Sequence, residues 1–404
     1  MSPTSPRRRR THVVLVVLVA TLSGLTARGP ANASTQVPTV TATPLGVVEG
    51  TNEASGIYEL HRDEGLSVAL DGGQSLWIFG DTVVHYSGTK PAGAASFFPS
   101  STAAIGPTGP GVAPTGLAEI QVGVPPSAGG AAGPHHFLPL PGAVYVPGHV
   151  GKVCTVSGQG YPARWPTGAA RIPGTTKVFV TFFDVCALSR TSYPVEGWGY
   201  AIFDTATNTF SVPATEVILP RTTAYVLPWT RRYISPIFES PTELVLFTST
   251  CLAGVKNVCT SGAVNVTTIN PTVANLRDIA HAPQTATMTA PGTRWRTHLL
   301  SVAYYPAASG PSRFIALTQP DTTGLIDVVS SGTPTGPWTT IAHAQLPGCA
   351  AIFEASVGTT VCYAIVGHPE QSGNGHLVVS YYLPTLHNVD NRLVEVDLQI
   401  AALR

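Results

Sequence analysis

The stretch "LSVALDGGQSLWIFGDT" (residues 66–82) decides how the rest of the chain is read. Two short apolar runs flank an Asp-Gly-Gly turn, and the second run, with Trp77, Ile78 and Phe79, stops abruptly at Gly80-Asp81. An acidic pair, Asp63-Glu64, stands just ahead of the first run. Gly and Asp after a run rich in β-forming residues mark a hairpin followed by a sharp exit from the second strand.

The same grammar recurs. "KVFVTFFD" (177–184), "ELVLFTST" (243–250), "RFIALTQPD" (313–321) and "TVCYAIVGH" (360–368) each read as a strongly apolar second strand. Third strands follow, as in "GWGYAIFD" (197–204), "GLIDVVSS" (324–331) and "GHLVVSYY" (375–382). With 40 Gly and 36 Pro the 404-residue chain is rich in turns, and Thr272–His281 is the single stretch that hints at a helix. Ala350–Ala355 is expected as a strand. Many short strands with few helices mean a sandwich, barrel or propeller. Five repeats of this unit give an all-β, five-bladed β-propeller, with a pair of β-sandwiches as the alternative.

The first 33 residues have the layout of a secretory signal peptide: Arg7–Arg10, then the apolar Val13–Leu25, then Ala31-Asn32-Ala33 as a cleavage site. Residues 34–50 are expected to form an N-terminal segment and 51–404 the propeller. Five of the 22 basic residues and none of the 22 acidic ones fall in the leader, so the remainder is acidic by about five charges. That excludes a polyanion-binding surface, nucleic acid included, which needs a basic stripe. The mature chain is expected to be a secreted monomer without a transmembrane anchor. Six cysteines in an exported chain point to disulfides, and the sequence-local pairing is Cys154–Cys186, Cys251–Cys259 and Cys349–Cys362.

In a propeller blade the chain returns to one face before the innermost strand, after the second and before the third. Asp63, Glu64, Asp81, Asp184, Glu196, Asp321, His368 and Glu370 are therefore expected near one rim. Any one such Asp can simply cap a turn; their convergence in a chain only 11% charged points to function. Trp165, in "YPARWPTG", is a candidate sugar platform, and Trp77 a core residue. No nucleophile elbow, Walker loop, dinucleotide fingerprint or His-Glu-x-x-His is present. His135-His136 lacks a nameable third ligand, so no metal site is assigned. No cofactor is required; a structural calcium or sodium ion in the channel stays open.

"LWIFGDT" preceded by "HRDEG", with "SSTAAIG", "RWPTGAARI", "KVFVTFF", "SSGTPTGPWTTI" and "GNGHLVVSYYLP", resembles secreted five-bladed β-propeller glycoside hydrolases. The similarity is to the arabinan-active furanosidase group, including bacterial endo-D-arabinanase-like domains, over about Thr51 to Leu398. The resemblance implies a furanose-rich polysaccharide substrate and carboxyl general acid/base catalysis. It implies Asp63 as base, Asp184 as the modulator of a partner's pKa, and Glu196 as general acid with Glu239 as its rival. Asp81, Trp165, Glu239 and His368 are expected to contact substrate. The alternative is a non-catalytic propeller that binds a glycan or a cell-wall partner.

Overall fold

The computed structural model describes residues 36–50, 58–87, 99–107, 109–111, 113–123, 134–140, 144–145, 153–154, 160–187, 195–217, 233–249, 253–255, 258–261, 264–277, 284–288, 295–297, 300–305, 313–385 and 392–404. The expected leader lies outside them, as does Cys251.

Five four-stranded antiparallel sheets form the blades of a propeller. From the innermost strand outward, the first blade is Leu66–Ala69, Gln74–Phe79, Thr102–Pro107 and Ala118–Glu119. The second is Tyr161–Arg171, Lys177–Ala187, Val195–Asp204 and Thr209–Val217. The third is Tyr233–Ser240, Glu243–Ser249, Val264–Ile269 and Ala286–Met288. The fourth is Ser301–Tyr305, Arg313–Thr318, Leu325–Ser331 and Thr339–Gln345, with Thr39–Val40 added in parallel outside it.

The fifth blade joins the two ends of the chain. Tyr363–Gly367, His376–Leu383 and Arg392–Gln399 come from the C-terminal region, and the outer strand is Ala42–Val47. Two expectations change as a result. The propeller begins ahead of Thr51, because residues 39–47 pair into it. "TVCYAIVGH" holds an innermost strand rather than a second one, so the residues after it lie toward the opposite end of the blade from Asp81. The stretch Ala350–Ala355 is also not a strand: a helix runs Cys349–Ala355. Within the expected helical stretch, Val273–Arg277 is a helix, and residues 278–281 lie outside the described residues.

Second strands are apolar without alternation because each is covered on both faces. Every residue of Val178–Cys186 is buried, which is what a strand packed between two neighbouring blades requires. Phe179, Phe182, Phe203, Phe247 and Trp338 fill the spaces between blades, and Trp77, Phe79 and Leu393 pack at the closing seam.

Short polar contacts tie the inner strands around the ring. Thr181 donates to the Ile234 carbonyl at 3.1 Å. Ser235 donates to the Val302 carbonyl at 2.8 Å, and the Gly367 N–H donates to Ser301 at 2.9 Å. A side chain at Gly168 would run into the Ile234 carbonyl. The axis of the ring holds a cavity of about 400 Å³, lined by residues that include Ser67, Ala169, Ser235, Ser301 and Glu370.

Among the described residues, three small accessory sheets are inserted at strand ends on the face where Asp63 and Asp81 lie. They are Tyr58–Arg62 with Thr82–Tyr86, Val144–Tyr145 with Val153–Cys154, and Ala253–Val255 with Val258–Ser261 and Trp295–Thr297. The Cys154–Cys186 disulfide pins the second of these to the second blade. Cys349–Cys362 ties the short helix to the chain entering the fifth blade. Among the described residues no helix is long and apolar enough to cross a membrane.

Candidate active site

The chain passes from the accessory hairpin into the first blade through Asp63-Glu64-Gly65. Glu64 (φ 71°) and Gly65 (φ 66°) both adopt left-handed backbone. The N–H groups of Gly65 and Gly80 converge on the Asp63 carbonyl at 3.0 and 3.1 Å. This knot brings the start of the innermost strand against the end of the second. Gly80 is needed there for space: a Cβ would lie 2.7 Å from Glu64 Cδ, 2.9 Å from its Oε2, and closer still to Asp63 Oδ1.

Three carboxyl groups thus gather at one end of one blade. Glu64 is 2% exposed, and Asp63 and Asp81 keep partial access to solvent. Burial pushes the Asp63 carboxyl up to about 7, against the pull of a Tyr363 hydrogen bond and of the backbone N–H groups of Asp63 and Asp81. Burial and then the Asp63 charge push Asp81 well up, with the Trp165 hydrogen bond opposing. Glu64 is driven up by burial and by both aspartates. Like charges this close cannot all ionise.

Two aromatic donors from other blades fix the aspartates. Tyr363 Oη donates to Asp63 Oδ2 at 3.0 Å from the fifth blade. The Trp165 indole N–H donates to Asp81 Oδ1 at 2.7 Å from the second. Trp165 packs edge-on against Phe183, so both the ring and its polar handle are set. Beside them stands Tyr161, whose hydroxyl is raised by burial and then by the Asp81 charge and is hydrogen-bonded to Ser100.

Of the residues expected at the site, Asp63, Asp81 and Trp165 come together. Asp184 lies in a buried two-pronged pair with Arg164, Nε to Oδ1 at 2.7 Å and Nη2 to Oδ2 at 2.9 Å. The same guanidinium donates to the Pro139 carbonyl at 3.0 Å. Both oxygens of Asp184 are therefore engaged in holding a segment beside the site. Glu196 sits on the strand Val195–Asp204, and its side chain lies outside the described residues. Glu239 is exposed beside the Ser240/Glu243 hairpin turn, at the opposite end of its blade from the one where the first blade presents Asp63.

His368 is a correction that follows from the strand order of the fifth blade. It is fully buried, packed against Trp77 with ring centroids 4.8 Å apart and the planes tilted by 35°, and paired through Nδ1 with Ser67 Oγ at 2.5 Å. Burial takes its pKa down to about 3. It is a neutral seam residue and faces no cleft. Tyr363, by contrast, carries no signal in the sequence. It lies 300 positions from Asp63 inside an apolar run, and nothing local marks it.

No protein-family model matches the chain, and no curated protein does. Among solved structures, it is similar to a putative hydrolase from Bacteroides ovatus, at 13% identity over 84% of this chain and 85% of that one, TM-score 0.47. It is also similar to the GH43_1 enzyme from Xanthomonas citri complexed with xylose (11%, 91% and 93%, TM-score 0.46). A third is Zg3597, a family 117 glycoside hydrolase from Zobellia galactanivorans (10%, 90% and 93%, TM-score 0.44). The case for an activity rests on this chain's own residues.

Proposed function

We infer that the protein is a glycoside hydrolase in which Asp63 and Asp81 are the two reacting carboxyl groups. The observation that carries this reading is their shared setting: two carboxyls at one strand-end site, both raised, each held by an aromatic donor from a different blade. Acid/base cleavage of a glycosidic bond needs one carboxyl ionised and its partner protonated near neutral pH. Mutual repulsion in a partly buried site produces that split.

The hydrogen bonds assign the roles. Asp63 receives Tyr363 and two backbone N–H groups, whereas Asp81 receives the Trp165 indole. Hydrogen bonds to the charged form favour ionisation, so Asp63 ionises first and serves as the base that takes a proton from water. Asp81 keeps its proton and delivers it to the leaving oxygen. The Trp165 ring presents a flat apolar surface to the C–H face of a sugar.

The substrate class we assign is a furanose-rich, arabinan-like polysaccharide. The motif resemblance supports it, and the accessory sheets around the acids suit a chain-like substrate. The disulfides Cys154–Cys186 and Cys349–Cys362 fit an extracellular setting.

Product release from L-arabinan, mycobacterial arabinogalactan, xylan and fructan tests the reading, with the wild type compared with Asp63→Asn and Asp81→Asn. Sugar release lost in both variants supports the assignment, and product lengths separate endo from exo action. A folded wild type that retains one of these glycans but cleaves none would favour a binding propeller instead.

A further inference from the structure

Glu64 is the member of the acid cluster that the acid/base roles leave unused. It is buried, and its backbone is left-handed, a conformation that a residue with a Cβ keeps only where its surroundings impose it. In an extended strand Asp63 and Glu64 would point to opposite faces. The turn instead brings both carboxyls to one small volume above the Cα of Gly80.

Glu64 Oε2 has no hydrogen-bond partner among the described residues. The charges acting on Glu64 are those of Asp63 and Asp81. Around them, Tyr363 is turned to Asp63, Trp165 to Asp81, and the Arg62 guanidinium is engaged by Glu119 and the Phe79 ring. A buried carboxylate with a bare oxygen beside two other acids is heavily penalised, whereas the neutral acid has an O–H to give.

We propose that Glu64 is a positioning residue that stays protonated and donates its O–H to the Asp63 carboxylate across Gly80. Asp63 is then the ionised member of the cluster, held on one oxygen by Glu64 and on the other by Tyr363. The assignment deepens the acid/base reading of Asp63 and Asp81 and rests on it; Glu64 itself touches no substrate.

Two variants test it. Glu64→Gln keeps a permanent donor in the same place, and Glu64→Leu keeps the bulk and removes the donor. Infrared difference spectra of wild type and Glu64→Gln at pH 7, without substrate, read the proton directly. The expected result is a protonated-carboxyl C=O band that Glu64→Gln lacks; its absence overturns the proposal whether or not the protein is a hydrolase.

In the kinetic arm, Glu64→Gln keeps kcat within about threefold and leaves the acidic limb of the pH profile in place. Glu64→Leu loses about tenfold or more in kcat at unchanged KM, and its acidic limb moves up. An acidic limb that falls by about one pH unit in Glu64→Gln would show that an anion had been removed, and overturns the proposal. Thermal melts of both variants separate these effects from misfolding. If the wild type turns over no glycan, the hydrolase reading fails while the infrared result still decides the state of Glu64.

Discussion

The indole N–H of Trp165 reaches across the gap between the first two blades and ends on Asp81 Oδ1 at 2.7 Å. That bond makes the position of one acid depend on the packing of the next blade. It stabilises the ionised form of Asp81, so removing it raises the pKa of that carboxyl further. Trp165→Phe is therefore expected to move the alkaline limb of the pH–rate profile upward, since the acid holds its proton longer. A loss of about tenfold in kcat/KM accompanies the change, in line with a hydrogen bond to the carboxylate that forms as Asp81 gives up its proton. If only KM changes and the alkaline limb stays in place, Trp165 acts purely as a sugar platform.

Asp63→Asn separates catalysis from stability. Burial raises the carboxyl to about 7 in the fold, against 3.8 for a solvated aspartate. A folded pKa above the unfolded one means stability that is present below pH 3.8 and lost as pH rises to about 7. The asparagine variant is thus expected to melt higher than wild type at pH 8 and equally at pH 3.5, by calorimetry. Glycan cleavage is expected to fall by about a thousandfold or more. Equal melting temperatures at both pH values would mean that Asp63 is fully solvated.

Gly80→Ala tests the crowding at the knot. The added methyl meets both the Asp63 and Glu64 carboxyl groups. Overpacking of this kind costs about 1–3 kcal/mol, and the displaced acids lose their register with Tyr363 and Trp165. A lower melting temperature together with near-complete loss of cleavage is expected. A melt and a rate both like wild type would mean the acids have room to move.

Asp184→Ala should behave differently from Asp63→Asn. Its carboxylate is committed to Arg164 in a buried pair, and removing one partner of such a pair costs about 3–5 kcal/mol. The expected outcome is a large fall in urea midpoint, with activity lost through disorder of the neighbouring segment. Replacing both partners, Arg164→Met with Asp184→Leu, is expected to recover most of the stability. A stable but inactive Asp184→Asn would instead restore the modulator role that the resemblance implies.

Much of this was legible in the sequence because it is local. Asp81 announces itself by following Gly80 at the end of an apolar run, and Asp63 by standing just ahead of the apolar run before it. The second strands are visible because burial on both faces leaves no polar alternation. What was not legible depends on distant pairing. The strand order of the fifth blade cannot be read locally, since its outer strand, Ala42–Val47, is supplied from the other end of the chain. That shifts the order by one strand and moves His368 to the opposite end of the blade from Asp81. The helix Cys349–Ala355 hides in an apolar "AAIFEA" that suits either state. Tyr363 meets Asp63 only because the ring closes.

The same closure sets the order in which the molecule can be completed. Ala42 pairs with Leu398, so the last blade cannot form until almost the whole polypeptide is available. Contacts this far apart along the chain fold slowly, and until they form the Arg392–Gln399 strand has an unpaired edge, a known hazard for aggregation. Because Tyr363 belongs to that blade, Asp63 gains its hydrogen bond only at the final step. Clipping a few residues through Ala42–Val47 should therefore disable a site that lies in another blade, and a newly made chain should be inert until its two ends have met.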